Sequence, residues 1–368
     1  MIYLFVLLVF IVGVFFEGKK EYSIPQMVWF WVEFAILFLL IGFRDHIGSD
    51  SIGYESDYRY VPSLYNLNSS FFEQSRYQPG FIFLESFCKQ IGDEFYIFQV
   101  VHVLIFNMIV FFFIKRNTNY CFAALLSYVC ISMLYFNTEI LRESLSVALG
   151  LLALFFYKKK KYYLAILLFF LAWNFHVSSI VILLYPIVNI VKTSNLSIMI
   201  MAILLFFIPF SFNYIPNIDN ALLYFGGDKA DMTHAYSIHD IQYNFFYYAL
   251  RYTYAVGIPL LLLTFINNHS SNNFKYTGFV FAMSFFQMTG VFSVAFSRMS
   301  NYFVPFYWLL VAEVIGFLYT KYRKGIVVFI SSILMLYFYE YNNMMSVDPQ
   351  NEPHYFYERY IPYNNILI

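Results

Sequence analysis

Apolar runs long enough to bury a whole helix recur along this chain and decide what it can fold into. Met27–Phe43, Phe95–Ile114, Phe245–Ile266 and Tyr302–Tyr319 are among the longest. A helix crosses the hydrocarbon layer with about 20 residues, so runs of this kind belong in lipid. Only 12% of the residues are charged, whereas a soluble domain carries about 25%. The expected fold class is all-α, a polytopic transmembrane helical bundle of about 12 spans, within limits of roughly 10–14. The full set is Ile2–Phe16, Met27–Phe43, Phe95–Ile114, Cys121–Phe136, Ile140–Tyr157, Tyr162–Phe175, Val177–Val191, Ile198–Phe212, Phe245–Ile266, Tyr276–Phe292, Tyr302–Tyr319 and Gly325–Tyr341. Tyr162–Val191 is long for one tilted helix and short for two. It reads as two membrane-dipping segments that meet at Asn174-Phe175-His176. The first sixteen residues lack a basic start, and Phe15-Phe16-Glu17 makes a poor cleavage site, so they read as a retained first helix.

Charge orients the stack. With both termini outside, the interior loops hold Lys19, Lys20, Lys115, Arg116, Lys158 to Lys161, Lys192, Lys275, Lys321, Arg323 and Lys324, more than half of the 22 basic residues. Short cytoplasmic loops collect Lys and Arg in this way. Of the acids, only Glu17 and Glu21 fall in interior loops, with Glu33 and Glu313 inside spans. The chain is expected to form a single integral membrane domain over residues 1–368. Residues 44–94 form a large external loop that includes the amphipathic, interface-lying stretch Phe81–Ile91. Residues 213–244 form a second external loop, and 342–368 an external tail. Loops of such length are usually functional or disordered. A net charge of zero argues against nucleic acid. Cys88, Cys121 and Cys130 have no metal-ligand or redox spacing. Asp228, Asp231, His234, His239 and Asp240 lack compact zinc spacing, so no metal or other cofactor is expected.

Arginine is distributed differently from lysine. Arg44, Arg59, Arg76, Arg142, Arg251, Arg298 and Arg359 all fall on the exterior side. Arg44, Arg142 and Arg298 each sit at an exterior helix end beside an apolar run, where an ionisable group usually has a partner or a task. A guanidinium keeps its charge when desolvated and grips phosphate oxygens in pairs. The expectation is a cationic exterior pocket for a phosphorylated lipid. The alternative is that these arginines snorkel, or pair with Asp45, Glu139 or Glu143. Gly42 to Asp50, followed by Tyr54, forms a turn just outside the bilayer, where Asp50 and Tyr54 can hydrogen-bond a sugar or simply cap backbone. His176, with Ser178 and Ser179 one turn on, is a candidate base for a sugar hydroxyl or an interfacial histidine bonded to backbone. Glu139 and Glu143, spaced i, i+4, share a helical face and either neutralise an arginine or act as a base.

At these residues the sequence resembles the EpsG-like, Wzy-type polysaccharide polymerases. The likeness rests on four pieces in order. They are Phe43-Arg44 with Gly48, Asp50 and Tyr54; Leu141-Arg142 at the start of an alanine/leucine-rich helix; Phe175-His176 with Ser178-Ser179; and Ser297-Arg298 with Tyr302-Phe303. Glu143 departs from the family, where glutamine is expected at that position in many relatives. The resemblance implies a metal-independent membrane glycosyltransferase at the outer face of the bacterial inner membrane. It would extend O-antigen, capsule or exopolysaccharide chains from glycans on undecaprenyl pyrophosphate. Its other partners would be membrane lipids, a chain-length regulator and a flippase of the same pathway. His176, Arg142 and Arg298 are the expected catalytic residues, with Arg44, Asp50, Tyr54, Glu139, Ser178, Arg251 and Tyr302 binding substrate. Three other classes compete. A flippase or transporter should show structural repeats and midplane ionisable groups. A glycan ligase uses the same donor with another acceptor, and an O-acyltransferase has no use for exterior arginines.

Overall fold

In a computed structural model the chain is described over residues 2–17, 23–48, 50–191, 194–211, 245–269, 274–290, 294–321, 333–334, 363 and 365–367. Among these residues the fold is all-helical and without a strand; an isolated bridge joins Arg44 to Asn365. The second external loop, most of the last expected span and most of the tail lie outside the described residues. Three helices are long and apolar enough to cross a membrane: Ile24–Gly42, Phe95–Asn117 and Tyr248–His269. A fourth crossing is Ala295–Asn301 with Val304–Tyr319, if that pair, bent by 47°, counts as one. The shorter apolar helices are Ile2–Val14, Cys121–Ile131, Tyr162–Trp173, Val177–Val188 and Asn195–Phe207.

The described chain divides into two compact units, Met1–Glu73 with Pro79–Ala148 and Ile315–Ile368, and Gln74–Gln78 with Leu149–Val314. In the first unit α1 (Ile2–Val14), α2 (Ile24–Gly42), α6 (Phe95–Asn117) and α7 (Cys121–Ile131) pack side by side. Their contacts are largely aromatic, with Phe30 and Phe34 edge-on to Phe111 and Phe16 against Phe122. Glu17, expected in an interior loop, accepts the backbone N–H of Ala123 at 2.9 Å. It thereby satisfies one of the orphan donors at the start of α7. The stretch expected to form the first external loop is folded. It carries α3 (Ser51–Tyr60), α4 (Ser69–Gln74) and α5 (Pro79–Ile91). The apolar side of α5, with Phe81, Ile82 and Cys88 buried, packs against α6 through the Phe81–Phe98 ring pair.

Between α7 and α8 (Leu141–Lys158) the chain winds into a π-helical turn, Tyr135–Glu139, which ends at Ile140 with φ −106° and ψ 50°. Glu139 and Glu143 therefore do not share a continuous helix. The expected i, i+4 face is interrupted where the ladder resets.

The second unit takes the rest of α8, then α9 (Tyr162–Trp173), a 3-10 segment Val177–Leu184, α10 (Tyr185–Val188) and α11 (Asn195–Ser211). The chain breaks at Asn174-Phe175-His176, where the sequence places a meeting of two segments. After the undescribed stretch come α12 (Phe245–Tyr252), a π-turn Thr253–Gly257, α13 (Ile258–His269), α14 (Thr277–Thr289), α15 (Val294–Asn301) and α16 (Val304–Lys321), of which the part from Ile315 on is counted with the first unit. Tyr185 centres an aromatic core with Phe279, Phe303 and Phe306, and its hydroxyl donates to Tyr302 O at 2.8 Å.

Candidate functional site

The second unit brings two of the expected catalytic residues together. His176 begins the 3-10 segment and is 1% exposed. Its Nδ1 accepts the backbone N–H of Ser178 at 3.2 Å, and its Nε2 lies 3.4 Å from Nη1 of Arg298 on α15. A backbone amide can only donate, so Nδ1 presents its lone pair there and the neutral ring carries its proton on Nε2. That nitrogen then faces a guanidinium, another obligate donor. Two donors side by side make no bond with each other, but they match an anion that takes both. The cap also occupies the lone pair that a general base at this position would need. Ser178 and Ser179 are fully buried.

Arg251 approaches the same helices from α12. Its Nε and Nη2 donate to Gln287 O at 3.1 and 2.8 Å, near the carbonyl end of α14. A cation there complements the helix dipole. Gly290 lets this happen, since a Cβ would come within 2.8 Å of both Arg251 Nη2 and Ser297 Cβ. Arg251 and the helix of Arg298 thus converge on one glycine. Tyr302, fully buried, lies in the turn between α15 and α16, where its carbonyl anchors Tyr185.

The first unit holds Arg44, Asp50, Tyr54, Glu139 and Arg142. Arg44 and Arg142 are 1% and 7% exposed, so neither snorkels toward lipid. Arg44 donates from Nη1 to Ile41 O at 2.8 Å and meets the chain end through its bridge to Asn365. Asp45, an expected partner for an arginine, instead pairs with His46, which also contacts Glu55 at 3.1 Å. The turn after Arg44 needs two left-handed residues, His46 at φ 50° and Gly48 at φ 101°. Gly48 sits directly on Thr138, where a Cβ would fall 2.6 Å from the threonine Cβ. The Arg44 turn is therefore seated on the π-turn that leads into Arg142. Asp50 is exposed at the start of α3, and Tyr54 is buried against Phe81. Glu139 closes the π-turn and is 3% exposed.

The sequence reading passed over a set of polar side chains inside this unit: His102 and Asn107 on α6, Tyr128 on α7 and Asn137 in the π-turn, all fully or almost fully buried. The available signal was polarity in the middle of apolar runs, which a hydropathy average conceals. Among the described residues no group of three or more His, Cys, Asp or Glu could hold a metal ion. The acid and histidine cluster of the second external loop lies outside them.

No curated protein and no solved structure matches the chain. A family model does, that of the EpsG family, over residues 27–365, and it takes in all four motif pieces. The chain therefore belongs to the EpsG family, membrane proteins with a polymerase-like role in polysaccharide biosynthesis.

Proposed function

We propose that this protein polymerises glycan repeat units carried on undecaprenyl pyrophosphate, at the outer face of a bacterial inner membrane. In this reading the chain crosses the membrane about twelve times with both termini outside. The observation that carries the proposal is the pairing of His176 Nε2 with Arg298. It supplies two adjacent donors suited to a pyrophosphate.

In the reaction an acceptor hydroxyl oxygen attacks the anomeric carbon of the donor glycan, and the bond from that carbon to the pyrophosphate oxygen breaks. The electron pair moves onto the pyrophosphate, and the hydroxyl proton leaves to the pyrophosphate or to solvent. Charge therefore grows on phosphate oxygens, where Arg298 and the His176 Nε2–H donate. Donors set in place before the reaction are worth about 10²–10³ in rate when one is removed. This role replaces that of general base for His176, because its Nδ1 lone pair is engaged by Ser178. Both substrates carry a pyrophosphate, and each unit has its own guanidinium groups. Arg142 and Arg44 of the first unit are assigned to holding a lipid pyrophosphate there. Asp50, Tyr54 and Glu139 are assigned to sugar hydroxyls, and Arg251 and Tyr302 to supporting the helix of Arg298.

The test is purified protein with lipid-linked repeat units, read as products on a gel. A ladder of lengths supports the proposal. A single transfer to lipid A means ligase, and no product favours transport. Arg298→Lys should abolish the ladder while the protein still inserts; a wild-type ladder would refute the role of Arg298 at the pyrophosphate.

A further inference from the structure

The first unit contains a closed ring of hydrogen bonds that the proposed reaction does not use. Tyr128 OH donates to Asn107 Oδ1 at 2.6 Å, Asn107 Nδ2 donates to Asn137 Oδ1 at 2.9 Å, and Asn137 Nδ2 donates back to the Tyr128 oxygen at 2.7 Å. Each group gives one hydrogen and takes one around the ring. The spare amide hydrogens go to Val103 O and Met133 O. Asn107, Tyr128 and Asn137 are 1%, 0% and 0% exposed. In such surroundings a complete ring is rigid, and losing one member takes a partner from the group on each side of it.

The ring is tied to the site through backbone. Asn137 stands in the middle of the π-turn Tyr135–Glu139, a conformation that rarely persists unless its surroundings hold it. Thr138, next in the chain, receives the Gly48 turn that follows Arg44. Just beyond, His102 Nε2 lies 3.1 Å from Leu141 O and 2.9 Å from Ser144 Oγ, on either side of Arg142 in sequence. A carbonyl only accepts, so His102 is held with its proton on Nε2. The first turn of α8 and the turn before it are thus pinned from α6 and α7 at two points.

We infer that His102, Asn107, Tyr128 and Asn137 are positioning residues. They fix Arg142 and Glu139 through the π-turn and the start of α8, and so set how tightly the first unit grips a lipid pyrophosphate. The inference rests on the anion-binding role proposed for Arg142.

The experiment measures binding of undecaprenyl pyrophosphate to the full protein in nanodiscs, for wild type, Arg142→Lys, Tyr128→Phe, His102→Leu, His102→Gln and the Arg142→Lys/Tyr128→Phe double variant. Tyr128→Phe and His102→Leu should each weaken binding about tenfold, in keeping with a buried partner left unpaired. His102→Gln keeps a donor for Leu141 O and should recover to within about threefold of wild type. The double variant should bind no worse than Arg142→Lys alone, because the two changes remove one interaction. Additive losses, or no recovery with glutamine, would overturn the inference. If Tyr128→Phe fails to insert, the His102 pair decides alone. A wild-type affinity in Arg142→Lys would refute the arginine's role instead. Hydrogen exchange at amides 139–145 then judges the positioning. Faster exchange in His102→Leu, reversed in His102→Gln, upholds it, and unchanged exchange overturns it.

Discussion

His176 illustrates how a single backbone contact assigns chemistry. Its Nδ1 takes the Ser178 amide, which puts the ring proton on Nε2, beside Arg298. A glutamine at this position offers a donor near Nε2 but no basic lone pair. His176→Gln should therefore keep most of the polymerising activity, while His176→Leu loses about 10²-fold. Initial rates with lipid-linked repeats decide between them, and equal loss in both would return His176 to the role of base. Cys88 gives a second, simpler expectation. Burial first, and then the charge of Glu85, push its thiol up to about 12. The thiolate is the reactive form, and a raised value keeps it scarce at pH 8. Intact membranes treated with maleimide at that pH should show no Cys88 adduct by mass spectrometry, and prompt labelling would contradict the burial.

Among the elements, the π-turn and the Gly48 turn stand out because each depends on the other's shape. Gly48 has φ 101° and no room for a methyl group against Thr138. Gly48→Ala should destabilise the fold by about 1–3 kcal/mol, the usual range for a strained backbone position. A lower melting temperature in detergent would report it, together with weaker lipid pyrophosphate binding as the Arg44 turn lifts away. The helices α2 and α6 were legible in the sequence, since both lie close to the long apolar runs that mark them. The π-turn was not legible. It falls at the junction of two expected spans, Cys121–Phe136 and Ile140–Tyr157, where the sequence gives no sign of its winding, and Asn137 reads as one polar residue among many until its partners are brought beside it from α6 and α7.

For the whole molecule, the segregation of lysine from acid is the feature with the widest consequence. In the proposed orientation Lys159 and Lys160 lie inside and Tyr65 outside. In a cysteine-free background, a cysteine at Tyr65, which is 86% exposed, should react with a membrane-impermeant reagent in intact cells. One at Lys160 should react only after permeabilisation. The reverse pattern would invert the orientation and put the arginine sites on the cytoplasmic side.

The membrane assignment, the helical class and the four motif pieces were all readable from the chain alone. Each depends on runs of neighbouring residues, and hydropathy and local order are properties of neighbours. The pairing of His176 with Arg298, the seat of the Gly48 turn on Thr138, and the ring of Asn107, Tyr128 and Asn137 were decided only by tertiary structure. They join residues far apart in sequence, and a buried polar atom takes its meaning from the partner that packing delivers. The tautomer of a histidine belongs to the same class, because geometry supplies the hydrogen-bond partner that selects it.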